Sequence, residues 1–108
     1  MKFYSGKKVY ITGGSSGIGK AAARLLIGFG ADVIIGARGE GRLIEAVEEL
    51  TATKVRDDQI ISHVVVDIAK RESTDAAAET VIAKLGGLDV LINNAGIAHP
   101  AIADETSD

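Results

Sequence analysis

Four short runs rich in β-branched residues, Val9-Tyr10-Ile11, Val33-Ile34-Ile35, Ile60 to Val66 and Val90-Leu91-Ile92, alternate with three stretches whose apolar residues recur at helical spacing. The first helical stripe is Ile18, Ala22, Leu25, Leu26 and Phe29, closing at Gly30, which suits a C-terminal cap. A shorter amphipathic helix follows, with Leu43, Ile44, Val47, Glu48 and Leu50 on one side, and a third stripe of Thr74, Ala77, Ala78, Val81, Ile82 and Leu85 runs up to Gly86-Gly87. Strands alternating with helices in this way are βαβ units, because parallel neighbours need a crossover and a helix supplies it. The fold class is therefore α/β, a doubly wound parallel sheet. Right-handed crossovers with a chain reversal after the third strand predict the order 3-2-1-4, which puts the ligand crevice at the carboxyl ends of strands one and four.

Composition narrows the classes of function. The chain has 108 residues, enough for one small domain, and 46% hydrophobic with 25% charged residues is the mixture of a globular core and a solvated surface. Twelve Lys and Arg against fifteen Asp and Glu leave a net charge of -3 without a basic run, which argues against nucleic acid as a partner. There is no cysteine, so disulfides, thiolate metal sites and thiol nucleophiles are excluded together. His63 and His99 lack the spacing of a zinc site. No segment approaches the roughly 20 apolar residues of a spanning helix, and the expected location is cytoplasmic, on a membrane's cytosolic face if the whole protein is anchored.

Between strand one and helix one lies Thr12-Gly13-Gly14-Ser15-Ser16-Gly17-Ile18-Gly19. A turn this tight needs glycine where a Cβ would clash, and a backbone that must approach a pyrophosphate needs it again. The helix that follows offers amide donors and the positive end of its dipole, so phosphate binding is the natural use of the segment. The bland alternative is a glycine-rich turn with no ligand.

The pattern resembles the Thr-Gly-x-x-x-Gly-Ile-Gly fingerprint of the short-chain dehydrogenase/reductase family. Asp67 after the third strand and Asn93-Asn94-Ala95-Gly96 after the fourth stand where that family has an adenine-contacting acid and an Asn-Asn-Ala-Gly signature, so three motifs in register cover nearly the whole chain. The resemblance implies a Rossmann-type dinucleotide-binding domain over residues 1–108. It implies that Gly13, Ser15, Ser16, Gly17, Ile18 and Gly19 form the phosphate and ribose loop, Asp67 and Ile68 the adenine rim, and Asn94, Ala95 and Gly96 a backbone wall near the nicotinamide ribose. For Asn93 and Asn94 a second reading stays open, side-chain amides that only tie strand four to its neighbour, and for Asp67 the alternative is a cap on the next helix.

The end of strand two selects the dinucleotide: an acid there accepts from ribose hydroxyls, whereas an arginine pairs with a 2′-phosphate. Arg38 occupies the place, 19 residues after Gly19, and Arg42 follows one helical turn later, so NADP(H) is expected over NAD(H). Asp32 falls before the strand. A solvated surface arginine is the competing account of Arg38.

Members of the family pass a hydride between the nicotinamide cofactor and a ketone or secondary alcohol, using a Ser and a Tyr-x-x-x-Lys pair in their second half. No such segment follows strand four here, and Tyr4 with Lys8, which do spell the motif, precede strand one at the opposite edge of the sheet from the cofactor. No catalytic residue is therefore assigned. The expectation is the amino-terminal, cofactor-binding half of a larger enzyme, homo-oligomeric when complete, inactive on ketones as these 108 residues alone. The loop residues together with Ala37-Arg38 and Arg42-Leu43 look most like the 3-ketodihydrosphingosine reductase branch, which implies a long-chain keto lipid as substrate. The alternative is a stand-alone dinucleotide-binding or interaction module without chemistry.

Overall fold

The computed structural model describes residues 4–15 and 17–94. In chain order the elements are β1 (Lys8–Thr12), α1 (Gly17–Gly28), β2 (Asp32–Ala37), α2 (Glu40–Thr51), β3 (Ile61–Val65), α3 (Arg71–Leu85) and β4 (Val90–Asn93). All strand pairs are parallel and the order is β3-β2-β1-β4, the doubly wound arrangement expected from the alternation of runs. The register sets Ile11 beside both Ile35 and Ile92, and Thr12 beside Gly36 and Asn93, so all these carboxyl ends finish level with one another.

Alternate strand residues feed two cores. Val9, Ile11, Val33 and Ile35 pack with Ala23, Leu26 and Ile27 of α1 and with Leu43, Ala46 and Leu50 of α2. Tyr10 and Ile34, pointing the other way, meet Val81 and Leu85 of α3. Ile11, Ile27, Ile34, Ile35, Leu43 and Leu50 are among the large side chains essentially removed from water, each contributing on the order of 2 kcal/mol by transfer from solvent. The central strands β1 and β2 read as continuous apolar runs because both of their faces are covered.

Each helix buries part of its expected stripe and leaves another part exposed. In α1 the buried residues are Gly19, Ala23, Leu26 and Ile27, while Ile18 and Leu25 are 70% and 58% exposed. Two overlapping stripes fit the 3.6-residue period, and contact of Gly19 with the backbone of Gly13 turns the helix toward the one with smaller residues. In α2 the face is Leu43, Ala46 and Leu50, with Ile44 turned out, and at 12 residues the helix equals α1 in length rather than being shorter. α3 buries Ala77, Val81 and Leu85 at four-residue spacing and leaves Ile82 exposed.

Both expected glycine stops are present. After α1, Gly30 takes φ 95° and Ala31 N–H reaches back to the Leu26 carbonyl; after α3, Gly86 takes φ 79° and donates to Ile82. Asp32 is the first residue of β2, not a residue before it, and lies at the strand's amino end. On β4, Val90 and Ile92 meet the α1 side, but Leu91 is 58% exposed, so the strand is covered on one face only among the described residues.

Candidate functional site

The carboxyl ends of β1, β2 and β4 form a ledge, and the glycine segment leaves from its middle strand. Gly13 takes φ 75° and Gly17 takes φ 60°, conformations that cost a side-chain-bearing residue about 1 kcal/mol or more. Gly13 N–H donates to Gly36 carbonyl at 2.7 Å, which folds the loop back over β2. A Cβ on Gly14 would come within 2.5 Å of Ile35 Cγ2, and one on Gly19 within 2.2 Å of the Gly13 carbonyl oxygen. The first amides of α1 have no intrahelical acceptors and stand behind this turn. The loop is thus pressed against sheet and helix, with nothing within 4 Å of a side chain built on Gly17. Such a cradle fits a pyrophosphate: close approach of backbone, unspent amide donors and the helix dipole coincide.

Side chains of β4 hold the loop in place. Thr12 Oγ1 donates to Asn93 Oδ1 at 2.8 Å, Asn94 N–H to the Thr12 carbonyl at 3.1 Å, and Asn94 Nδ2 to the Gly13 carbonyl at 3.2 Å. Asn93 therefore ties strand four to its neighbour, the second of its two readings. Asn94 closes the turn through its side chain, a job separate from the backbone wall expected of it. Thr12, whose hydroxyl makes the first of these bonds, was not among the expected site residues; its position opposite Asn93 emerges only from the register.

Arg38 follows β2 and Arg42 lies in the first turn of α2. Both are exposed, and among the described residues neither is engaged in an ion pair. Glu40, between them in sequence, has its carboxylate 3.5 Å from His63 Nε2 on β3. After β3, Val66 N–H continues the ladder to Ala37 and the chain then turns: Asp67 N–H donates to Ser73 Oγ at 2.9 Å, Ala69 N–H to Asp67 Oδ1 at 3.1 Å, and Lys70 N–H to the Asp67 carbonyl. Asp67 thus closes its own turn rather than capping α3, whose N-cap is Lys70. Ile68 is partly open to solvent beside it. Ser15 is half-buried in the loop, and Gly17, Ile18 and Gly19 begin α1; Ser16, Ala95 and Gly96 lie outside the described residues.

Tyr10 escaped the sequence reading as anything but core. Its hydroxyl is buried without a hydrogen-bond partner among the described residues, close to where a Cβ of Gly36 would stand, and burial raises its pKa. Tyr4 stacks on Phe29 with ring centroids 6.0 Å apart, and Lys8 opens β1, so both members of the Tyr-x-x-x-Lys match stand at the amino edge, away from the glycine loop. Among the described residues no cluster of acids and histidines could hold a metal, and no helix is long and apolar enough to cross a membrane.

A parallel sheet with a glycine cradle at its switch point defines a dinucleotide-binding protein of Rossmann type. The chain belongs to the short-chain dehydrogenase/reductase family: residues 7–108 match the short chain dehydrogenase description. It is 40% identical over 105 residues to a (5R,7aS)-5-hydroxy-7a-methyl-1-oxo-2,3,5,6,7,7a-hexahydro-1H-indene-carboxyl-CoA reductase of Mycobacterium tuberculosis, covering 95% of this chain and 39% of that protein. It is 38% identical over 93 residues to a 3-dehydrosphinganine reductase of Danio rerio, covering 85% and 28%. Among solved structures, a short chain dehydrogenase from Mycobacterium smegmatis superposes with a TM-score of 0.81 at 35% identity, over 87% of this chain and 38% of that one. An L-sorbose reductase from Gluconobacter frateurii, complexed with NADPH and L-sorbose, gives 0.73 at 37% identity, over 84% and 34%. The chain spans less than two fifths of the length of these relatives. The family is one of oxidoreductases using nicotinamide dinucleotides. Relatives of unlike names match about equally well, so the sphinganine branch expected from the loop residues is one of several and is not favoured.

Proposed function

We propose that this chain is the NADPH-binding portion of a short-chain oxidoreductase that passes a hydride between the cofactor and a ketone or secondary alcohol. The observation that carries the reading is the pair Arg38 and Arg42, exposed and, among the described residues, free of ion pairs where β2 leads into α2, next to a glycine cradle that a Cβ at position 19 would fill. The guanidiniums would take the 2′-phosphate, Gly13, Ser15, Ser16, Gly17, Ile18 and Gly19 the pyrophosphate and ribose, and Asp67 with Ile68 the adenine edge. Asn94, Ala95 and Gly96 would wall the nicotinamide ribose. When bound there, NADPH would supply a hydride for a carbonyl carbon, the oxygen gaining the electron pair and a proton from an acid, a role assigned to no described residue. The neighbour that holds NADPH in its crystal supports the same cofactor. For substrate, a long-chain 3-keto base is the specific proposal, in a cytosolic and homo-oligomeric enzyme.

Titration with both reduced nucleotides tests the reading. NADPH is expected to bind about tenfold or more tightly than NADH, and Arg38→Glu to abolish or reverse that order by removing an ion pair and adding repulsion. Equal affinities in the unmutated chain would remove the 2′-phosphate assignment. Binding of neither nucleotide would favour an interaction module instead.

A further inference from the structure

The turn after β3 has a support that belongs to none of the three motifs. The chain leaves the sheet after Val66, and there the hydroxyl oxygen of Ser73 accepts from the Asp67 N–H at 2.9 Å. Ser73 is the third residue of α3. Hydroxyls within a helix ordinarily turn back to the carbonyl four residues earlier, as Thr74 does to Lys70 and Thr80 to Ala76 in this same helix. Ser73 instead reaches six residues back, out of its helix, to the acid that opens the turn after β3.

Three groups of Asp67 are thereby committed, its N–H to Ser73, its Oδ1 to Ala69 and its carbonyl to Lys70. Its second carboxylate oxygen and the adjoining Ile68 N–H make no hydrogen bond within the described residues. An acceptor beside a donor is the complement of the adenine edge, where an amino group stands next to a ring nitrogen. Holding that acceptor in place requires Asp67's backbone to be fixed, since rotation about its φ would swing the carboxylate away.

From this geometry we infer that Ser73 is a positioning residue for adenine recognition, acting through Asp67 without touching the nucleotide. The inference rests on the dinucleotide reading above. It sets Ser73 apart from a residue that merely starts α3, because loss of the hydroxyl should blunt discrimination between bases rather than weaken binding in general.

The test compares NADPH with its hypoxanthine analogue, in which the adenine amino donor is replaced by a carbonyl and the ring nitrogen beside it carries a proton. In the unmutated chain the adenine form is expected to bind about tenfold more tightly, the range of one hydrogen bond to a charged group. Ser73→Ala should bring that ratio to about twofold while leaving affinity for the hypoxanthine form unchanged; Ser73→Thr should keep the ratio, and Ser73→Cys, close in shape but a poor acceptor, should behave as Ala does. A preserved ratio in Ser73→Ala and Ser73→Cys, or an equal loss for both cofactors, overturns the inference and leaves the dinucleotide reading standing. Failure of the unmutated chain to bind either form overturns both.

Discussion

The two ends of one sheet are built on different rules. At the amino end, side chains bind the backbone: Gln59, 7% exposed, donates from Nε2 to the carbonyls of Ile27 and Ala31 and accepts at Oε1 from the N–H groups of Val55 and Arg56. Arg56 donates to the Gly30 carbonyl, Asp32 accepts from Ile60 N–H, and Asp89 accepts from Lys8 N–H. At the carboxyl end, glycines form the turn, the Asn94 side chain makes one bond to its backbone and the Ser73 side chain one to that of the turn after β3, and the two arginines have no ion-pair partner among the described residues. The amino end pairs its polar groups with one another, the buried Arg56 Nε excepted, whereas the carboxyl end keeps Arg38 and Arg42 outside any ion pair among the described residues, and unspent groups are what a ligand needs.

The sharpest way to break this comparison is Gln59→Ala. It strands the Ala31 carbonyl and two N–H groups around a buried side chain, the Ile27 carbonyl keeping the Gly30 N–H, and at about 1 kcal/mol for each a loss on the order of 3 kcal/mol is expected in urea unfolding. That is a large fraction of the stability of a small domain. NADPH affinity measured on the folded fraction should not change. If affinity falls as much as stability does, the two ends are not separable.

Much of the carboxyl end could be read from the sequence and almost none of the amino end. Glycine spacing between an apolar run and a helical stripe reports a local turn, and Asp67 and Asn94 follow their strands directly, so adjacency in sequence carried the information. The strand order came from the handedness and length of the crossovers. Gln59 and Arg56, in contrast, reach backbone groups 28 and 26 residues away, in a loop with no periodicity to mark them. The α1 face was misjudged for a related reason: helical spacing allows neighbouring stripes, and contact between Gly19 and Gly13 chooses between them in three dimensions. Ser73 lay hidden because its partner is set by the turn, not by helical spacing.

Gly19→Ala is the counterpart at the other end and a smaller blow to stability. Its Cβ would stand 2.2 Å from the Gly13 carbonyl oxygen and 2.8 Å from Asn94 Nδ2, so the turn must open and the Asn94 bond must stretch. Overpacking of this kind costs about 1–3 kcal/mol. The distinguishing readout is binding: NADPH affinity should fall by more than about tenfold, because the displaced carbonyl carries the phosphate loop with it. A variant that loses stability yet binds NADPH as before would show that the cradle is only a tight turn.

The smallest expected effect concerns the fastening of α1, the helix that leaves the loop. Lys20 in its first turn pairs with Glu49 of α2. Glu49's pKa is lowered from its ordinary 4.5, first by the hydrogen bond from the Lys20 ammonium, then by the charge of Lys20, and less by that of Arg24. A carboxylate whose pKa is depressed by folding adds stability above its unfolded-state value and loses that contribution as pH falls through the folded value. The pair stands in solvent, so its contribution is small and screened by salt. Glu49→Gln should accordingly lower Tm slightly at pH 7 in dilute buffer, and the difference from the unmutated chain should close as pH drops below the ordinary glutamate range. Added salt at pH 7 should close it too. A difference that persisted at acid pH would mean that Glu49 acts by packing, and the charge pair would then have no part in holding the helix beneath the phosphate loop.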